Sequence, residues 1–246
     1  MTEYLPIRYS LYRLGWQGID LLFPPRCGGC DKAGLRWCDE CKTSLVKIED
    51  VSCDVCGLPQ YQRGVCQKCL ENPPAYKQLR SWVSFDGAIR KSLHSMKYRR
   101  NIGMGEELAA EMIPFVKQLE WHIDLAVPVP LGMQRYRERG YNQATLFARP
   151  LALAMGWKFS QKALKRVKET KSQVHLSAIE RAKNVEDAFV ADHRGVDGRS
   201  VLVLDDVSTT GATLNSCADA LIRGGAKAVY AFTVARALPQ HGLRTI

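Results

Sequence analysis

Eight of the nine cysteines fall in four CxxC pairs, Cys27/Cys30, Cys38/Cys41, Cys53/Cys56 and Cys66/Cys69, all in the first third of the chain. Thiolates are soft ligands, and four around one zinc ion make a closed tetrahedral site with no position left for water. Eight therefore predict about two structural zinc ions, Zn2+, and leave Cys217 apart. Sequential pairing joins Cys27, Cys30, Cys38 and Cys41 at one ion and Cys53, Cys56, Cys66 and Cys69 at the other. A cross-braced pairing uses the same eight ligands. A dithiol enzyme needs one such motif, not four, and in a reducing compartment clustered pairs of this kind hold metal rather than disulfides.

The second chemically capable stretch is VLVLDDVSTTGATLNSCADALIR, residues 201–223. Four apolar residues, Val201–Leu204, suit a strand buried on both faces. The acids Asp205 and Asp206 are expected at its carboxyl end, where open α/β sheets receive ligands. Ser208, Thr209, Thr210, Gly211, Ala212 and Thr213 then lead into an amphipathic helix. Their small side chains let backbone amides converge on an anion, and the helix N-terminus favours negative charge. The acids cannot face that anion, so they should face hydroxyl donors or a divalent cation such as Mg2+. A phosphorylated ribose, with vicinal hydroxyls at one end and phosphate at the other, meets both demands.

Two further polar stretches could complete such a site. AVPVPLGMQRYRERGYNQA leaves a short apolar strand and presents Arg135, Arg137 and Arg139 on an expected loop, suited to pyrophosphate or to a nucleic-acid backbone. KETKSQVHLSAIERAKN, residues 168–184, has the length and polarity of a lid, with Lys171, Gln173, Arg181 and Asn184 as its ligand-facing residues. His175 within it reads as a surface imidazole.

These residues must be positioned by the elements around them. Apolar side chains at Ile7, Leu11, Leu14 and Leu22 predict a helix over 7–22 that docks on its own protein and stops at Pro24-Pro25. The expected organisation is an N-terminal helix over 1–25, a cysteine-rich module over 26–72 and an α/β domain over 75–246, with Asn72-Pro73-Pro74 as boundary. The module carries few large apolar residues, so metal must supply its folding energy. Its Arg26, Arg36, Trp37, Lys42 and Arg63 could touch nucleic acid.

Beyond residue 75 helices are expected over Gly103–Leu119, Asn142–Met155 and Ala212–Arg223. Strands are expected over Ile123–Val129, Leu164–Val167, Ala188–Ala191, Val201–Leu204 and Ala228–Ala235. This alternation predicts an α/β fold with a mainly parallel sheet flanked by helices. Cys217 should be a small buried residue. Formal net charge is +10, a field that favours phosphorylated molecules or nucleic acid. No apolar run is long enough to span a bilayer, and the first residues lack the apolar core of a secretory signal, so a cytoplasmic protein without membrane insertion is expected.

LDDVSTTGAT, residues 204–213, resembles the motif with which type I phosphoribosyltransferases bind phosphoribosyl pyrophosphate (PRPP). Taken with LLFPPRCGGC at 21–30, MKY at 96–98, PVPL with RERGYNQA within 128–144, and the KSQ, ER and AF blocks within 171–189, the chain resembles the ComF family, a competence-associated group that includes GntX. The resemblance implies a type I phosphoribosyltransferase-like fold with an N-terminal zinc module. It further implies acidic contacts to the ribose hydroxyls and a loop around the 5′-phosphate. A role in natural transformation or the use of imported DNA follows from it, beside a ComFA-type helicase or the recombination mediator DprA. Two functions stand open on this reading. One is phosphoribosyl transfer with release of pyrophosphate. The other is a non-catalytic, PRPP-sensing protein that engages single-stranded DNA.

Overall fold

The computed structural model describes residues 6–48, 51–168 and 187–238. Its centre is a five-stranded parallel sheet built from β1 (Gln78–Ser84), β2 (Leu125–Pro128), β3 (Lys158–Phe159), β6 (Ser200–Ser208) and β7 (Ala228–Arg236). The strands lie in the order β1-β7-β6-β2-β3, and every pairing is parallel. β4 (Leu164–Arg166) and β5 (Phe189–Ala191) form a separate antiparallel pair.

Alternation along the strands divides the core into two layers. Ala126, Leu202, Leu204, Phe232 and Val234 face helices α4 (Gly87–Tyr98), α5 (Met104–Gln118) and α7 (Gln143–Met155). Leu125, Val127, Val201, Val203, Val229 and Ala231 face α9 (Ala212–Arg223) and the β4–β5 pair. The central strands are therefore apolar on both sides, as parallel strands under helices must be.

The connections fix where a ligand can enter. From β2 the chain passes through α6 (Met133–Arg139) and α7 to β3 on one side. From β6 it passes through α9 to β7 on the other side. The crevice between the carboxyl ends of β2 and β6 is thus a topological switch point, the ligand position of open α/β sheets.

The cysteine-rich segment lies along the edge strand β1. Leu79 N donates to Val55 O at 2.7 Å, Ser84 N donates to Val46 O at 2.8 Å, and Lys47 bridges to Val83. An open edge is thereby covered, which removes a pairing hazard. Trp37 is buried in the main core and meets Trp82 edge-to-face at 6.0 Å. Arg36 is buried and ion-paired with Asp20, and Lys42 bonds Glu107 and Glu111. Of the residues that could touch nucleic acid, these three are engaged within the protein, while Arg26 and Arg63 remain exposed.

Helix α1 (Ile7–Leu22) forms over the expected residues but docks by a different face. Tyr9 is fully buried, Arg13 pairs with Glu106 at 3.0 Å, and Asp20 holds Arg36. Ile7, Leu11, Leu14 and Leu22, the stripe expected to dock, stand in solvent. The face that docks places Tyr9 in the main core and brings Arg13 and Asp20 to Glu106 and Arg36. Two short helices, α2 (Asp39–Thr43) and α3 (Gln67–Glu71), close the cysteine knuckles, and α8 (His193–Val196) precedes β6. Among the described residues no helix is long and apolar enough to cross a membrane.

Candidate functional site

The switch-point crevice receives the acid pair, but not as a terminus of its strand. β6 continues through Ser208: Asp205 registers with Thr233, Val207 with Ala235 and Ser208 with Arg236. On its other side β2 ends at Pro128, paired with Leu204. Asp205 and Asp206 are therefore strand residues with a neighbour on one side and the crevice on the other. The expected strand over Val201–Leu204 was too short because acids are poor strand formers by type, while the β7 ladder holds them extended.

Asp206 is buried and ion-paired with Lys97 from the last turn of α4. Although burial disfavours its charge, Lys97, then a hydrogen bond with Asp205 and the Arg139 charge, hold its carboxyl below the usual carboxylate range. Asp205 behaves oppositely: burial, then the neighbouring Asp206 charge, pushes it well above that range. Its Oδ1 accepts the Asp206 N–H at 2.9 Å. The Lys97 ammonium pairs with Asp206 alone, so the partly buried Asp205 carries its charge at a cost that hydroxyl donors or a cation would relieve.

Past Ser208 the chain turns through Thr209 and Thr210 to Gly211, the N-cap of α9 with φ +80. That backbone conformation favours glycine. A Cβ there would also lie 3.2 Å from the Tyr76 hydroxyl. Thr210 Oγ1 accepts from Ala212 N at 3.4 Å. Ser208 Oγ is buried, with no hydrogen-bond partner among the described residues. Ala212 and Thr213 open α9, whose Cys217 is fully buried beneath the site, as expected.

The segment bearing Arg135, Arg137 and Arg139 is the helix α6, not a loop. On a helix, positions two apart point to nearly opposite sides, while those four apart share a face. Arg135 and Arg139 are half-buried and Arg137 is exposed, as that geometry requires. The guanidinium of Arg139 stands over the Tyr98 ring at 5.3 Å and donates to Gln143 Oε1 at 2.8 Å. The Tyr141 hydroxyl donates to Met96 O. The MKY block thus joins the acid pair, through Lys97, to the basic helix, through Tyr98. Lys97 is a site residue that sequence reasoning missed, although its block had been singled out. Lys171, Gln173, Arg181, His175 and Asn184 lie outside the described residues.

The eight paired cysteines form two groups, Cys27, Cys30, Cys38 and Cys41, and Cys53, Cys56, Cys66 and Cys69, with the sulfurs of each within 4.8 Å of one another. Pairing is sequential, not cross-braced. Sulfur separations of 3.6 and 3.7 Å in the first group and 3.8 Å in the second match the edge of about 3.8 Å that four thiolates at about 2.3 Å from zinc would make. Backbone amides already point at these sulfurs: Cys38 N donates to Cys27 Sγ at 3.4 Å, and Cys66 N to Cys53 Sγ at 3.2 Å. Working against burial, such bonds bring Cys27 down to about 6 and Cys53 down to about 7, whereas burial and the neighbouring thiols push Cys41 and Cys69 up. Four close thiols cannot all ionise without a cation to share their charge. The donor sets fit structural zinc.

The chain matches the model of the double zinc ribbon domain over residues 18–70 and that of the phosphoribosyl transferase domain over residues 142–242. It is 32% identical over 192 residues to the DNA utilization protein YhgH of Salmonella typhimurium, covering 76% of this chain and 84% of that one. With the competence protein ComFC of Bacillus subtilis it is 28% identical over 230 residues, covering 90% and 89%. A solved adenine phosphoribosyltransferase overlaps 58% of this chain and 76% of its own, at 20% identity and a TM-score of 0.39. Fold and cysteine centres together define a phosphoribosyltransferase-like protein carrying a double zinc ribbon. The chain belongs to the ComF family of competence and DNA-utilization proteins.

Proposed function

We propose that this protein binds PRPP in the crevice between β2 and β6 and acts in the uptake or use of DNA. The observation that carries the reading is the acid pair at the switch point, with Asp206 ion-paired to Lys97, directly before a loop of small residues that opens a helix. On this reading Asp205 and Asp206 accept the ribose 2′- and 3′-hydroxyls. The amides and hydroxyls of Ser208, Thr209, Thr210, Gly211, Ala212 and Thr213 surround the 5′-phosphate. Arg135 and Arg139, on the same face of α6, meet the pyrophosphate, with Lys171, Gln173 and Arg181 contributed by the polar segment after β4. A Mg2+ ion accompanying PRPP supplies further positive charge to the pyrophosphate.

The same groups can stabilise charge on departing pyrophosphate, which is the electrostatic part of phosphoribosyl transfer. Fold alone does not fix turnover. The test is calorimetric titration with PRPP and Mg2+, followed by assay of pyrophosphate release against a panel of nitrogen bases. Binding with release makes the protein a transferase; binding without release makes it a PRPP sensor. No binding of PRPP, ribose 5-phosphate or inorganic phosphate rejects the reading. The relatives named for DNA utilization and for competence support a role in the use of DNA; on this reading the protein works in the cytoplasm, with single-stranded DNA, a ComFA-type helicase and DprA as its partners.

A further inference from the structure

The two cysteine centres differ in what they hold. The first sits against α5, through Lys42 with Glu107 and Glu111, and against β1 through the Trp37–Trp82 contact. The second is tied to the anion loop. Lys68, between the ligands Cys66 and Cys69 on α3, donates to Thr210 O at 3.4 Å. Arg236, only 3% exposed, donates from its guanidinium to the carbonyl of Cys56, another ligand of that centre, and registers with Ser208 at the base of the loop. Tyr76 reaches Gly211, and Ala75 N donates to Asn215 Oδ1 in the first turn of α9 at 2.7 Å. The knuckle itself presses on β1: Gly57 has φ +64, and a Cβ there would lie 2.6 Å from Leu79 O.

We propose that Lys68 and Arg236 are positioning residues that hold the Ser208–Thr213 loop in its anion-binding shape from the second cysteine centre, so that metal at that centre, and not at the first, is a condition of tight phosphate binding. The proposal rests on the anion-loop reading above and adds its control. Arg236 is a buried cation with no carboxylate partner among the described residues. With zinc bound, the four thiolates would carry net negative charge, and Arg236, bonded to the Cys56 carbonyl, would meet it. Loss of the metal frees Cys56 and α3 to move, and with them both tethers of the loop.

The full-length protein tests this. Cys30→Ser at the first centre and Cys66→Ser at the second should each remove about one zinc. Only Cys66→Ser should weaken ribose 5-phosphate binding, by tenfold or more in calorimetry, and raise hydrogen exchange of amides 208–214. With both zinc ions retained, Lys68→Ala should weaken binding about threefold and Lys68→Arg should restore it; Arg236→Met should weaken it more than Arg236→Lys. Equal affinity and equal exchange in the two cysteine variants, or Lys68→Ala indistinguishable from the parent, overturns the proposal. If Cys66→Ser does not fold, the Lys68 and Arg236 variants decide. A parent protein that binds none of the phosphates defeats the PRPP reading instead, and the exchange comparison still judges the tether.

Discussion

Lys97 on α4 and Asp206 on β6 form a direct ion pair that supplies the crevice with its own cation. Any ligand cation or sugar hydroxyl that meets the acid pair does so in the field of that ammonium. The pair sets the first of the expected outcomes.

Asp205→Ala/Asp206→Ala should weaken PRPP binding by about one to two powers of ten per lost contact, since hydrogen bonds to charged groups are worth roughly 1.5 to 3 kcal/mol. Some stability should be lost with the Lys97–Asp206 pair, so affinity is compared on protein that keeps its fold. Calorimetry on protein with an unchanged circular dichroism spectrum measures this. Parent-like affinity would make the loop no more than a turn.

Affinity should depend on pH in a window set by Asp205. Its pKa lies above the usual carboxylate range, and binding of PRPP with Mg2+ requires the charged form. Affinity should therefore fall as pH drops through that raised value. The folded state does not suffer there, because it prefers Asp205 neutral. Asp206 is depressed: its stabilisation is present above the unfolded-state value of about 3.9 and is lost as pH falls through the lower folded value. Loss of binding thus precedes the stability loss that this pair causes in acid. In Lys97→Met both carboxyls resist ionisation, and the fall in affinity should begin at higher pH. Titration calorimetry across pH checks both; superimposable profiles would detach Lys97 from the site.

Arg135→Ala and Arg139→Ala should each weaken PRPP binding more than ribose 5-phosphate binding, while Arg137→Ala changes neither by more than about twofold. The basis is the helical phase of α6. Equal losses for the three arginines would mean that the segment meets the ligand as an extended loop.

Elemental analysis of protein purified without added metal should find about two zinc per chain, and chelation should lower the thermal midpoint in step with zinc loss. One zinc, or iron with visible absorbance, would contradict two structural zinc centres.

Asp20→Ala should destabilise the protein by roughly 3 kcal/mol or more, because it strands the buried Arg36 guanidinium. Asp20→Ala/Arg36→Met should recover much of that loss. Denaturant unfolding of the two variants provides the comparison, and equal stabilities would mean that α1 is not held by this pair.

What the residues alone determined was local chemistry. Four CxxC pairs specify soft-metal sites wherever the chain puts them, and the helix over Ala212–Arg223 was legible because a glycine cap and an apolar stripe both mark it. The apolar quartet Val201–Leu204 located the central strand, and the acids and small residues after it located the candidate site. Tertiary structure decided the relations between distant residues. β1 and α4 carry no strong signal of their own, so the Lys97–Asp206 pair could not be foreseen from either residue. Alternating arginines read as one patch on an extended chain and as two sides of a helix once α6 forms. The apolar stripe of α1 predicted docking by the wrong face, because the docked face meets its partners, the main core at Tyr9 and the buried Glu106 and Arg36, on other segments. The seating of the second centre against the anion loop likewise depends on which strand edge is free. Periodicity reports what each segment would bury alone, whereas charge pairs across the fold are set by partners that the segment does not contain.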